Sequence, residues 1–179
     1  PGTNGIHFLH NGNKVHFADI SYEAIKTTKK KIPLKLKKNS TFTILNPNEI
    51  QIPILSNSID LIICLSVYNN FINRNHANLM IKEFNRVLKK NGLLILDFNL
   101  SNNNYTTISN DKKNSQKKTL PNSSTKKTIS MYFPNSKSPV INDLKKSNFK
   151  LLDQGYSNWK VFNSFEHEII LTAKKLKKI

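Results

Sequence analysis

The sequence predicts an α/β fold: a mostly parallel sheet with helices on both faces and an antiparallel strand at its C-terminal end. Three observations predict it. Strand-like and helix-like periods alternate through the first hundred residues, the pattern of strand–helix–strand units. The apolar runs Ile59 to Ser66 and Leu93 to Phe98 have the length and composition of strands covered on both faces. Two late strand-like runs follow one another with no helix between them, which calls for an antiparallel return.

The elements follow in order. Gly5 to His10 carries the opening turn Pro1-Gly2-Thr3-Asn4-Gly5 into a helix that ends at Asn11-Gly12. Lys14 to Ile20 is a short strand finishing in Asp19, and Ser21 caps a helix from Tyr22 to Lys31 that stops before Pro33. Ser40 to Leu45 is the next strand, closed by Asn46-Pro47-Asn48, and a loop runs on to Ser58. Ile59 to Ser66 is a central buried strand. Ala77 to Lys90 is an amphipathic helix with Leu79, Met80, Phe84, Val87 and Leu88 inward, and Asn91-Gly92 turns the chain into the buried strand Leu93 to Phe98. From Ser101 to Ser130 the apolar content collapses and no period survives. That polar insert, residues 101–130, is expected to be disordered or a flexible lid within a single domain spanning 1–179. Pro139 to Ser147 is a helix, Phe149 to Gln154 a strand, Tyr156 to Phe162 an extended connection and Glu166 to Ala173 the last strand.

Composition bounds the partners. A chain of 179 residues, at about 150 per domain, excludes a second enzyme-sized domain. The formal charge of +17 points toward a polyanion, yet 26 of the 28 basic residues are Lys, and only Arg74 and Arg86 offer the bidentate fork that reads phosphates and bases. Residues 1–100 carry net +7 and 101–179 net +10, so the surplus leans toward the insert and tail. Asn numbers 26, and the joint excess of Lys, Asn and Ile matches the bias of an AT-rich genome. Cys64, inside an apolar run, reads as a buried structural thiol. The apolar runs fall well short of the roughly 20 residues of a membrane span. Pro1 to Gly5 lacks a signal-peptide profile, so a cytoplasmic location is expected. The histidines lack metal-ligand spacing, and no metal site is expected.

Four pieces of the chain, in order, resemble the class I S-adenosylmethionine-dependent methyltransferases, whose fold is Rossmann-like. Pro1 to Gly5 is similar to the end of the family's Gly-x-Gly-x-Gly motif, with Gly2 as its last glycine; the preceding strand is missing, so the chain looks truncated at its start. Asp19-Ile20-Ser21 is similar to the acidic end of the second strand. Ile59-Asp60-Leu61-Ile62-Ile63 resembles the Phe-Asp-h-h-h pattern of the fourth, and Arg86-Val87-Leu88-Lys89-Lys90-Asn91-Gly92 resembles Arg-Val-Leu-Lys-Pro-Gly-Gly.

The resemblance implies S-adenosyl-L-methionine as cofactor and assigns roles residue by residue. Gly2 lets the backbone approach the cofactor's methionine portion, and Asp19 accepts from the ribose hydroxyls. Ile20 forms an apolar face against adenine, with core packing as its alternative. Where the family usually places an acid for the adenine amino group the chain has Asn48, a neutral acceptor, with Glu49 beside it as a substitute. Leu65 and Ser66 offer backbone carbonyls to the cofactor's amino group, and Tyr68 and Asn69 stand on the acceptor side. His76 is a candidate general base for an oxygen acceptor, against the reading of a solvated loop histidine. Asp60 and Arg86 are expected to serve structure. The implied reaction is in-line methyl transfer, most simply to a small-molecule acceptor. A second expectation, from charge, is a degenerate fold that binds RNA or another polyanion without catalysis. A nicotinamide-dependent enzyme shares Gly2 and Asp19 but leaves the Arg86 phrase unexplained.

Overall fold

The computed structural model describes residues 1–101, 117–121, 128–161 and 164–177. They divide into two compact units, Pro1–Pro53 and Ile54–Ile179.

In the first unit, helix α1 (Thr3–His10) leads into strand β1 (Val15–Asp19), helix α2 (Tyr22–Lys31), a 3-10 segment (Leu34–Asn39) and strand β2 (Ser40–Ile44). β1 and β2 pair in parallel from Val15 opposite Ser40 to Asp19 opposite Ile44. The Ser21 hydroxyl caps α2 by accepting from the Ala24 amide at 3.2 Å, and the chain leaves the helix at extended Ile32, as the residue before Pro33 must. Leu9, Phe17, Ile25 and Ile32 form the core, flanked by Ile6, Val15, Leu36 and Phe42. Phe17 and Phe42, register partners, stack at 5.4 Å. α1 lies so close to β1 that a Cβ on Gly5 would run into the Phe17 ring. No strand precedes α1 among the described residues.

The second unit holds a four-stranded sheet in the order β3-β4-β8-β7. β3 (Ile59–Cys64) pairs in parallel with β4 (Leu88–Asn99), and β8 (Ser164–Lys175) runs antiparallel to both β4 and β7 (Phe149–Val161). The predicted α/β class and antiparallel C-terminal strands are therefore present. β3 departs from expectation: it ends its sheet, and only Cys64 is fully buried. A terminal strand has a neighbour on one side alone, so an apolar run there is only half covered.

Helix α3 (Arg74–Val87) starts three residues earlier than periodicity suggests, because the Asn73 side chain accepts from the His76 amide at 2.9 Å and opens the first turn. Its buried face is Ala77, Met80, Ile81, Glu83, Phe84 and Val87, while Leu79 is half-buried and Leu88 already belongs to β4. The Asn91-Gly92 turn falls inside β4 as an irregularity, with Asn91 at φ 65° and a register shift between Ile59 and Leu61. Lys175 Nζ closes the C-terminal end of α3, donating to the carbonyls of Asn85 at 2.6 Å and Leu88 at 2.7 Å. β7 is one continuous strand where a strand and a connection were expected, since each residue from Asp153 to Val161 finds a partner on β8.

The expectation of disorder over 101–130 is corrected in part. β5 (Lys117–Pro121) and β6 (Thr128–Tyr132) form an antiparallel hairpin. Their β-branched residues Thr119, Thr128 and Ile129 are too few to register as a period in a Lys-, Ser- and Asn-rich background. Residues 102–116 and 122–127 lie outside the described residues.

Helix α4 (Lys137–Lys146) is tied to α3 by an ion pair. Arg74 Nε and Nη2 fork onto the two oxygens of buried Asp143 at 3.1 and 3.0 Å. Arg74→Ala strands that carboxylate, and urea unfolding is expected to register a loss of about 2–3 kcal/mol, tempered by the half-exposed guanidinium. Cys64 is buried as expected, its thiol pushed up to about 12 by burial and then by the charge of Asp97. The folded chain is expected to resist a thiol reagent at about pH 8 and to react only once denatured. No described helix is long and apolar enough to cross a membrane.

Candidate functional site

Strand ends in parallel α/β units expose backbone and side chains at the carboxyl edge, where ligands of such sheets bind. In the first unit Asp19 sits at that edge of β1. Its Oδ1 accepts from the Ser21 amide at 2.8 Å, which fixes the carboxylate against the start of α2, and its own carbonyl accepts from Leu45 N at 2.9 Å. The next residue, Ile20, is 59 % exposed, so simple core packing does not account for it. Gly2 is the N-cap of α1, at φ 76°, and caps it with no side chain. A Cβ there would run into the buried Thr28 side chain, so α1 and α2 approach through this glycine. No side chain among the described residues caps the first amides of α1.

Asn48 and Glu49 follow β2 in a turn built by Asn46. The Asn46 side-chain oxygen accepts from the Asn48 amide at 3.0 Å, and its Nδ2 donates to Glu49 Oε1 at 2.7 Å. Both residues are exposed, and Glu49 is engaged with Asn46. Tyr22, Lys26, Lys29, Lys30, Lys37 and Ile44 rim a cavity of about 250 Å³ on the α2 side of the same unit. The α1 to β2 unit thus presents a carboxylate, an apolar residue and a helix start without a side-chain cap, groups suited to a ribose, a flat ring and an anion.

In the second unit, Leu65 is half-buried and Ser66 exposed just past β3. Ser66 adopts φ 58°, a left-handed conformation uncommon outside glycine, of the kind found at functional turns. Asp97, buried in β4, pins this turn by accepting from the Ser66 amide at 2.6 Å. The Ser66 carbonyl accepts from Asn70 Nδ2 at 3.2 Å. Asp97 also hydrogen-bonds the Glu168 carboxyl of β8. Burial raises the pKa of both carboxyls, and for Glu168 the hydrogen bond and charge of Asp97 push it further, to about 7.

Tyr68 and Asn69 turn inward. The Tyr68 side chain is fully buried against Phe71, Phe98 and Tyr132, and burial pushes its phenol upward. Asn69 is spent on structure: its Nδ2 donates to the carbonyls of Asn99 at 3.0 Å and Tyr132 at 2.9 Å, and its Oδ1 accepts from Asn99 N at 2.7 Å. Both hold the segment after β3 in place from beneath. His76 lies in the first turn of α3 against Phe71, with its pKa lowered by burial, so its imidazole is neutral near pH 7.

Arg86 and Asp60 both make contacts that tie segments of the second unit together. Arg86 forks onto buried Glu83 at 2.8 and 2.7 Å, and donates to Ile54 O at 3.0 Å and to Ser56 Oγ at 2.9 Å, clamping the approach to β3. Asp60 makes an exposed ion pair with Lys89 at 2.8 Å. Sequence reasoning missed Asp97 and Glu168. The one signal for Asp97 was an acid inside an otherwise apolar strand, which is costly unless partnered. Among the described residues no group of three His, Cys, Asp or Glu side chains is placed to hold a metal ion.

Comparison with known proteins bears on this arrangement. The model of a methyltransferase domain family matches residues 2–96. The fold is shared with an S-adenosylmethionine-dependent methyltransferase of Methanosarcina mazei, at 16 % identity and TM-score 0.76, over 99 % of this chain and 89 % of that one. It is shared with a putative S-adenosylmethionine-dependent methyltransferase of Listeria monocytogenes, at 12 % identity and TM-score 0.73, over 98 % and 88 %. A third is the magnesium protoporphyrin IX methyltransferase of Synechocystis PCC 6803 with bound S-adenosylhomocysteine, at 18 % identity and TM-score 0.69, over 97 % and 69 %. No curated protein sequence matches the chain. With a family match over more than half of its length, on the stretch that holds Gly2, Asp19, Leu65 and Ser66, the chain belongs to the class I S-adenosylmethionine-dependent methyltransferases.

Proposed function

We propose that the chain transfers a methyl group from S-adenosylmethionine to a small-molecule acceptor. The observation that carries the reading is Asp19 at the carboxyl edge of β1, its Oδ1 held by the Ser21 amide and exposed Ile20 beside it. That leaves Oδ2 to accept from a ribose hydroxyl and gives an adenine ring an apolar surface. Within the first unit, Gly2 at the uncapped start of α1 suits the cofactor's methionine end, Asp19 its ribose, and Ile20 and Asn48 with Glu49 its base. Within the second unit, taken by itself, the Leu65 and Ser66 carbonyls suit the cofactor's amino group. When bound, the cofactor supplies an activated methyl on a sulfonium, so the protein's own task is to orient and to exclude water.

Tyr68 and Asn69 support the acceptor side by fixing the backbone that follows Ser66, and neutral His76 is available to take a proton from an oxygen acceptor. The alternative, a degenerate fold binding RNA or another polyanion without catalysis, draws on the lysines around the α2 cavity, and the comparisons lend it no support. A cytoplasmic location belongs with the proposed small-molecule chemistry.

The test is incubation of the chain with methyl-tritiated S-adenosylmethionine and, separately, a small-metabolite extract, total RNA and total protein. Label entering the small-metabolite fraction supports the reading. Label entering RNA or protein alone contradicts the acceptor class, and label entering none contradicts the activity.

A further inference from the structure

Two carboxyl groups hydrogen-bonded to each other must share a proton, because two carboxylates present only acceptor oxygens and no donor. Asp97 and Glu168 make such a bond across the antiparallel pair β4–β8, where Asp97 faces Ile170 and Asn99 faces Glu168 in register. Asp97 is buried and spends Oδ1 on the Ser66 amide at 2.6 Å, a short charge-assisted contact. Ser66 is the left-handed residue whose carbonyl faces the cofactor's amino group in the function proposed above. A buried aspartate paired with a half-buried glutamate behind a left-handed turn is a costly arrangement, and no ion pair accounts for it.

We propose that Glu168 is a positioning residue of the cofactor site: protonated, it donates to Asp97, which as a carboxylate holds the Ser66 amide and so fixes the turn that receives the cofactor's amino end. This rests on the cofactor reading above. The described groups acting on the pair are the Ser66 amide from the end of β3, the Cys64 thiol within β3, the Asp97 backbone of β4 and the two carboxyls themselves. Glu168 loses its proton as pH rises through about 7, which leaves two carboxylates face to face. The pair then repels, Asp97 shifts and the Ser66 turn loosens. A carboxyl whose pKa is raised in the folded chain also adds stability at low pH, and that contribution is lost as pH rises through the folded value.

The experiment uses the whole chain and its Glu168→Gln variant, whose amide still donates to Asp97 but cannot ionise. Without ligand, the Ser66 amide resonance is expected to move with a midpoint near 7 in the wild type and to show no such step in Glu168→Gln. Calorimetric titration with S-adenosylmethionine is expected to weaken about fivefold between about pH 6 and 8.5 in the wild type, the worth of roughly one hydrogen bond, and to stay level in Glu168→Gln. An amide resonance flat across this range overturns the shared proton, whatever the chain binds. Binding that is equally pH-independent in both proteins overturns the positioning role while leaving the cofactor reading intact. No binding at any pH, with the amide step present, overturns the cofactor reading and the positioning role together.

Discussion

Asp19→Ala is expected to weaken S-adenosylmethionine binding by about 30- to 100-fold, the loss of roughly 2–3 kcal/mol from hydrogen bonds to a charged acceptor. The size follows from the geometry at the end of β1. The carboxylate is already oriented by the Ser21 amide, so little ordering cost offsets the bonds it makes. The same contact sets the structural cost of the substitution, since α2 loses one partner of its first turn, worth about 1 kcal/mol or less. Asp19→Asn keeps one neutral acceptor in place and is expected to fall between, near tenfold. Calorimetry reads the affinities, and thermal unfolding separates them from any change in stability. A binding loss that tracks the loss of stability would place Asp19 among the structural residues.

Asn69→Ala is expected to destabilise the second unit by about 3 kcal/mol, because three hydrogen bonds disappear and the backbone groups they served are left without their partner. Asn69 ties the segment after β3 to the end of β4 and to β6 through the Asn99 amide and the carbonyls of Asn99 and Tyr132. Only a side chain with both an acceptor and two donors meets those groups. Asn69→Asp keeps the acceptor but turns a carboxylate toward two carbonyl oxygens, so it is expected to rescue nothing. Urea unfolding followed by circular dichroism measures both. An Asn69→Ala chain as stable as the wild type would mean that the segment is held by the Tyr68 ring alone.

These two residues also mark how far the sequence could be read. The Asp19 position was legible because a strand end, an acid and a helix cap fall within three residues, and each has a local physical cause. The extent of α2 was legible for the same reason, with Ser21 at one end and Pro33 beyond the other. Asn69 carried no such signal. Its partners lie 30 and 63 residues away, so its role depends on β4 and β6 coming together. Tyr68, taken from the resemblance as an acceptor-side residue, turns inward because Phe71, Phe98 and Tyr132 converge on it. The β5–β6 hairpin was illegible because strand pairing, unlike helical periodicity, needs its partner before it shows. The Asp97–Glu168 bond joins residues 71 positions apart across β4 and β8, which no local pattern announces.

The central claim, that this chain holds S-adenosylmethionine with Asp19 on its ribose, is tested most directly by calorimetric titration of the wild type and Asp19→Ala with S-adenosylmethionine. Saturable one-to-one binding by the wild type, weakened at least tenfold in a folded Asp19→Ala chain, is the predicted result. A folded wild type that takes up no cofactor, or an Asp19→Ala chain that binds as tightly, contradicts it.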